Sequence, residues 1–389
     1  MTKAKGRLIF NLIPDGYCDN QKVIFMGIDF SGIQSFIFRQ DAPDDIAEIT
    51  KRSEYITRLA FRIDEDLKTL LKEYGYFTIT NTGGKVQSVV RYSVKAAQIL
   101  ENYLSRLQRI IFTVNEAKFQ LFYGMVRTRI VRISESSGRK SAYPDLMQAI
   151  GKNKSQCSNL YGFDTGKYND KTYSPEYLAG DVVIHAKPDP DYRLAALKFD
   201  FDNLGNFFAA VKAVDTIAQI SENLSVAINE IISSIPDVKV ILSGGDDIFL
   251  LCPKDILSQV AVRLYEGLII SMENNEVLKE YRESFGLSCG IFTFNKNVAL
   301  AVYAVNAEKQ LILSKIRGKD KVTVEDISFT WDEFKYANSI IEKFIEGSAP
   351  EIRKELSAYS FINKLRYICG NTRDREEKTS IRKLLAKAE

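Results

Sequence analysis

The sequence holds a single histidine, His185, in 389 residues. A site that needs two histidines cannot be built from it, which excludes histidine-rich zinc hydrolases, HD-type phosphohydrolases and 2-His-1-carboxylate iron enzymes. A serine-protease triad would have to use His185 itself. The five cysteines, Cys18, Cys157, Cys252, Cys289 and Cys369, are odd in number, scattered, and form no C-x-x-C pair. Neither a disulfide framework nor a zinc ribbon is therefore expected, and the compartment reads as reducing. Long apolar runs are missing too. The N-terminal stretch Leu8 to Phe10 ends at Asn11, and no window approaches the roughly eighteen uncharged apolar residues of a membrane span. We expect a cytoplasmic chain without signal peptide or membrane anchor. An excess of one charge is also absent, with 53 Lys and Arg against 50 Asp and Glu. That balance argues against a chain that coats nucleic acid along its whole length and leaves room for a local basic face.

With 45% hydrophobic residues, a chain of this length exceeds what one hydrophobic core usually organises, so two or more domains are expected. Strand-like and helical patterns alternate twice in the same order. The first copy runs from the apolar Lys22 to Asp29, past a break at Ser31-Gly32, into a helical pattern over Ile49 to Tyr74. A hairpin around Gly83-Gly84, a helix from Val94 to Ile110 and a strand from Phe119 to Val131 follow. The second copy opens with a strand over Arg193 to Phe199, then one long helix carrying Phe207, Val211, Val214, Leu224, Ile228 and Ile231 on a face. A hairpin around Gly244-Gly245, a helix from Asp255 to Leu278, a strand Leu287 to Phe294, a helix Leu300 to Lys315 and a short strand Lys321 to Val324 complete it. The expected fold is α+β: two tandem ferredoxin-like palm domains at residues 1–133 and 181–330, a connecting region at 134–180, and a C-terminal helical domain at 331–389.

Chemistry concentrates where strands of the second copy end. Asp200 and Asp202 close its first strand, and Asp246 and Asp247 occupy the hairpin turn. In a palm sheet those strands are neighbours, so Asp200 and Asp246 or Asp247 converge on one edge and offer the oxygen ligands that Mg²⁺ or Mn²⁺ prefers. Two such ions would activate a ribose hydroxyl and hold a triphosphate. Ser243, Gly244 and Gly245 form the turn, where missing Cβ atoms let a nucleotide lie close to the backbone. Asn203, Leu204 and Gly205 precede a helix and can offer amides to phosphate oxygens. Lys315 can reach the same phosphates as a point charge. Singly, each motif is also what a solvated turn looks like. Jointly, four carboxylates at adjacent strand ends would repel one another without a cation. Ordinary solvated faces are the default for the basic segments at 118–140 and 361–389, and His185, Phe36-Phe38 and Phe207-Phe208 read as core.

The segments LKFDFDNLGNFF (197–208), ILSGGDDIFLLCP (241–253), LSCGIFTFNKN (287–297) and AEKQLILSKIRGKDKV (307–322) resemble the palm-cyclase domain of the large subunit of type III CRISPR effector complexes. MGIDFSGIQSFIF (26–38) resembles that family's non-catalytic first palm. The resemblance implies ATP as substrate for cyclic oligoadenylate synthesis on target-RNA binding. It implies a partnership with other subunits of the ribonucleoprotein, and indirectly with guide and target RNA. It matches Asp200 to the first metal-binding aspartate, with the Phe201 carbonyl as a backbone ligand, Asp246 and Asp247 to the remaining acids, and Lys315 to a lysine facing the triphosphate. In the first palm it places Ser31, Gly32, Gln34, Gly83 and Gly84 near a second ATP, although a purely structural lobe stays open. It also implies a trimmed member, without an HD nuclease before Lys22 and without the zinc finger, since the connecting region has only Cys157.

Three functions follow. The first is an ATP-dependent oligoadenylate cyclase that releases pyrophosphate by a two-metal mechanism. The second uses the same site to conjugate AMP to S-adenosylmethionine. The third is a non-catalytic, ATP-binding scaffold. A diguanylate cyclase is a weaker rival, because a GGDD turn alone fits it equally.

Overall fold

The computed structural model describes residues 1–38, 46–82, 84–156, 165–179, 194–244, 247–279, 282, 285–293, 299–357 and 359–388. The expectations on Gly83, Cys157, His185, Gly245 and Asp246 fall outside the described residues. The chain divides into two compact units, one of Met1–His185 with Gly205–Ser225, the other of Ala186–Leu204 with Val226–Glu389.

Among the described residues the first unit has six strands, β1 (Thr2–Lys3), β2 (Leu8–Phe10), β3 (Lys22–Ser31), β4 (Phe77–Thr82), β5 (Lys85–Arg91) and β6 (Gln120–Arg132). Their order is β1-β6-β3-β5-β4, with β2 also pairing β6. The core β6-β3-β5-β4, all antiparallel, is the ferredoxin-like order expected from the strand-helix-hairpin-helix-strand pattern. Helices Ile46–Leu70 and Val94–Val114 form the two crossovers. The second is started by Ser93, whose hydroxyl accepts the Ala96 amide at 2.9 Å. The short edge strands β1 and β2 were not read from sequence, because two or three residues carry no periodicity.

The other face of this sheet is covered by helix Tyr143–Gln156, and two glycines explain how it lies down. Gly27 and Gly124 are opposite each other on β3 and β6. A Cβ on Gly124 would sit 2.7 Å from the Ile150 amide nitrogen, and one on Gly27 would sit 3.0 Å from Leu146. Without those side chains the helix seats Leu146 and Ile150 among Phe25, Val89, Phe122 and Val126. Each such side chain contributes about 1.5–3 kcal/mol by leaving water.

The second unit repeats the plan with β7 (Leu194–Asp202), β8 (Lys239–Gly244), β9 (Asp247–Pro253), β10 (Gly286–Thr293), β11 (Lys321–Val324) and β12 (Ile327–Thr330). The order is β12-β11-β10-β7-β9-β8, so β10-β7-β9-β8 is again ferredoxin-like. Helix Leu300–Ile316 crosses from β10 to the parallel β11. Strand β12 was not anticipated; it hairpins back through Glu325 and Asp326, both at positive φ. Four helices follow, Trp331–Glu346, Pro350–Ser357, Phe361–Asn371 and Arg375–Leu385. Thr330 opens the first of them with a reciprocal capping box to Glu333.

The single helix expected after Asp202 is two, Leu204–Ala210 and Val214–Ser233. Tertiary pairing breaks the run: Ala213 bridges Ile9, and Asp215 accepts the Asn11 and Leu12 amides. The division between the units passes through the longer helix, after Ser225. Phe207 and Phe208 are half-buried and not the core residues expected, whereas Phe36 is fully enclosed. No helix among the described residues is long and apolar enough to cross a membrane.

Candidate active site in the second palm

Strand β7 alternates, so Lys198, Asp200 and Asp202 point to the face that carries helix Leu300–Ile316, while Phe199 and Phe201 point to the other. Asp200 lies opposite Asp247 on β9 and Ser288 on β10. Two carboxylates directly across one ladder step repel each other unless a cation intervenes. Lysines supply it here. Lys315, near the end of the crossover helix, puts its Nζ 2.6 Å from Asp200 Oδ1. Lys198 is ion-paired with Glu308 of the same helix and reaches to 3.9 Å from Asp247 Oδ1.

The helix comes close enough for these pairs because β10 carries Gly290. A Cβ there would fall 2.2 Å from the Ala307 carbonyl oxygen and from the Leu311 amide nitrogen. Gly290 faces Lys198 in the register just as Gly124 faces Gly27 in the first sheet. A lysine thus stands in the second palm where the first has a second glycine.

Asp202 does not join the converging acids. It is buried, with both oxygens within 2.9 Å of the Ser288 hydroxyl and one accepting the Asp320 amide at 2.8 Å. Asp320 in turn accepts the Leu287 amide at 3.1 Å. Lys319 donates to the side chain of Asn203, which has a left-handed φ of 62°. The turn after the crossover helix is thereby fastened to the end of β7. Asp202 is a structural clamp; spacing alone does not separate it from Asp200, since both occupy alternate positions of one strand end, and only the family resemblance singled out Asp200.

The remaining expected residues are placed as follows. Phe201 is buried, with its ring edge-on to Phe285. Leu204 is buried and Gly205 exposed, at the start of a helix of only seven residues. Ser243 and Gly244 end β8 opposite Ile248 and Asp247. Ser31, Gly32, Gln34 and Gly84 belong to the first unit. There Gly32 and Gly84 take positive φ of 82° and 73°, and a Cβ on Gly32 would meet the Lys118 carbonyl at 2.8 Å. In that unit the residue opposite Asp29 is Lys85, so the carboxylate pair of the second sheet has no counterpart at that step among the described residues.

Lys198 and Glu308 were not recognised from sequence. A strand lysine reads as a solvent-facing position, yet the side chain of Lys198 is only 4% exposed. In the basic segment at 118–140, Arg127 stacks on and bonds Tyr92 and Arg129 donates to the Asn20 carbonyl at 2.7 Å, while Arg132, Arg139 and Lys140 are exposed.

The donor set suits a hard divalent cation. Asp200 and Asp247 present carboxylate oxygens on adjacent strands, and the Phe201 carbonyl follows directly in the chain. Among the described residues no group of three or more His, Cys, Asp or Glu side chains is gathered for an ion. The two carboxylates are the described part of the set.

Two family models match the chain. Residues 193–323 match the Cas10/Cmr2 second palm domain, and residues 22–163 match Csm1 subunit domain B. No curated protein matches in a sequence comparison. Among solved structures, a Csm1–Csm4 cassette in complex with pppApApA is 17% identical with a TM-score of 0.64, covering 95% of this chain and 65% of that one. The same cassette with one ATP is 17% identical with a TM-score of 0.59, covering 82% and 58%. Csm1 of T. onnurineus is 16% identical with a TM-score of 0.63, covering 92% and 62%. At these identities the likeness is one of fold, and the chain spans about three fifths of the structures it matches. Both halves nevertheless match such models, over two sheets of the same strand order: the chain is similar to the Cas10/Csm1 type of large subunit of type III CRISPR complexes.

Proposed function

We propose that the chain is a nucleotidyltransferase that condenses ATP into cyclic or linear oligoadenylates and releases pyrophosphate. It would act as part of a type III CRISPR ribonucleoprotein that responds to target RNA. The observation that carries this reading is Asp200 facing Asp247 across one step of the β7–β9 ladder, with Lys315 on the first acid and Lys198 beside the second. A purely structural strand end gains nothing from opposing two carboxylates. The ATP and oligoadenylate complexes of the structural neighbours agree with it.

Asp200 and Asp247, with Asp246 and the Phe201 carbonyl, would hold Mg²⁺ or Mn²⁺. When bound, such ions lower the pKa of the attacking 3′-hydroxyl and neutralise the triphosphate. Lys198, held between Glu308 and Asp247, fixes the orientation of Asp247. Lys315, about a third exposed, can exchange Asp200 for a phosphate oxygen. Gly244, which ends β8 opposite Asp247, brings no Cβ between the backbone there and the nucleotide.

The test is chromatography of products from ATP and Mg²⁺, with and without partner subunits, target RNA and S-adenosylmethionine. Pyrophosphate and oligoadenylates that disappear in Asp247→Ala are expected. An AMP conjugate formed only with S-adenosylmethionine would redirect the reading to a different acceptor at the same site. Binding of ATP without turnover in the presence of every partner would leave a scaffold.

A further inference from the structure

A cavity of about 410 Å³ opens in the C-terminal part of the second unit, bounded by the start of helix Leu257–Asn274 and by helices Trp331–Glu346, Pro350–Ser357 and Phe361–Asn371. Two lysines line it, Lys254 and Lys364, and both are buried, at 5% and 7% exposure. Buried Asn338 and Ser258 line it as well and add an amide and a hydroxyl. The ammonium of Lys364 makes no hydrogen bond or ion pair with any described residue. Burial holds it below its usual range, and the charge of Asp255 opposes that shift.

An ammonium this enclosed, with no hydrogen-bonded counter-ion, gains from a counter-charge, and a ligand in the cavity is placed to supply it. The Lys364 ammonium, with the Asn338 amide and the Ser258 hydroxyl lining the same hollow, matches a tetrahedral oxyanion, for which lysine serves as a point charge. Asp255, Glu346 and Arg353 line the cavity at exposed positions, and Glu342 is bonded to Gln259 at 3.1 Å. Three acids against one arginine disfavour an extended polyanion such as an RNA strand more than a small ligand with one phosphate. The volume falls in the range of small-molecule sites, about 300–1,000 Å³.

We infer that this cavity is a binding site, separate from the palm, for a small phosphate-bearing ligand, with the phosphate held by Lys364. The site is built from residues that the palm chemistry does not use, so it stands or falls independently of the proposed activity.

Calorimetric titration of the full chain with inorganic phosphate, against chloride of equal ionic strength, tests it directly. AMP in a second arm distinguishes a phosphomonoester from free phosphate, since only the former fills the rest of the cavity. Phosphate is expected to bind at millimolar concentration or tighter, and Lys364→Met to weaken both ligands at least tenfold. Asp255→Asn, at an exposed position, is expected to tighten binding about threefold and serves as the deciding variant should Lys364→Met fail to fold. Phosphate behaving as chloride does, unchanged affinity in Lys364→Met, or unchanged affinity in Asp255→Asn when that variant decides, overturns the proposal. So does an RNA oligonucleotide that binds through Lys364 while phosphate and AMP do not.

Discussion

Lys198 and Glu308 form an ion pair between the central strand of the second sheet and the helix that crosses it, and Asp247 lies 3.9 Å from the same lysine. The lysine is almost wholly enclosed, whereas the side chain of Glu308 is 36% exposed. The two ends of the pair are therefore unequal when cut. Glu308→Gln leaves an enclosed cation with Asp247 alone and should lower stability by on the order of 3 kcal/mol. Lys198→Met leaves a carboxylate that water can reach and should cost less than about 1 kcal/mol. Its effect should appear instead as a loss of about ten- to a hundredfold in ATP turnover, because Asp247 is no longer oriented. Denaturant titration with single-turnover kinetics on both variants separates the two. Equal stability losses would remove the asymmetry from the account.

Opposed carboxylates should make the folded state respond to divalent ions. With Mg²⁺ at 100 times its dissociation constant, mass action adds about 2.7 kcal/mol of stability, seen as an upward shift of Tm. Asp200→Asn and Asp247→Asn should abolish that shift. Without metal, Asp247→Asn should be about as stable as the parent, since relief from Asp200 offsets the lost contact with Lys198. A Mg²⁺ shift that survives in both variants would place the ion elsewhere.

Gly290→Ala is expected to be more damaging than any surface change in this unit. The new methyl would meet helix backbone at 2.2 Å, and backbone cannot swing aside as a side chain does. A loss of about 3 kcal/mol or more follows from overpacking, with a matching loss of activity as Lys315 and Glu308 move with the helix. Gly205→Ala, where the added Cβ meets nothing within 4 Å, is the control and should change stability by about 0.5 kcal/mol or less.

The first helix of the C-terminal region offers a pH test. Burial raises the Glu333 carboxyl, but Lys387 and the capping contacts to Thr330 overcome that and leave its pKa lowered. A lowered carboxyl pKa in the folded state means stability that is fully present at neutral pH and lost as pH falls through that pKa. Thr330→Ala should cost about 1 kcal/mol. Glu333→Gln should remove the pair with Lys387 and flatten the acid limb of a Tm-against-pH profile. An unchanged acid limb in Glu333→Gln would assign it to other carboxylates.

Much of this architecture was legible in the residues. The two strand-helix-hairpin-helix-strand runs are readable because half-buried strands and amphipathic helices impose periods of 2 and 3.6 on apolar residues. Glycine pairs mark the hairpins because few other residues tolerate positive φ, as Gly84 does at 73°. The opposition of Asp200 and Asp247 follows from the same grammar, since a tight hairpin and an antiparallel register leave little freedom. Edge strands β1, β2 and β12 were invisible because their pairing partners, not their own few residues, create them. The split of the expected long helix into Leu204–Ala210 and Val214–Ser233 depends on Ile9 and Asn11, some two hundred residues away.

What the sequence determined alone was the chemistry on offer: carboxylates and lysines at strand ends, one histidine, and two copies of one fold pattern. Tertiary structure decided which of those groups act together. It turned Asp202 inward to hold Ser288 and the Asp320 amide, put Lys315 on Asp200, and enclosed Lys198 between Glu308 and Asp247. The physical reason is Gly290. A helix can approach a strand closely only where no side chain stands between them, and that approach, made by residues far apart in sequence, sets which charges meet.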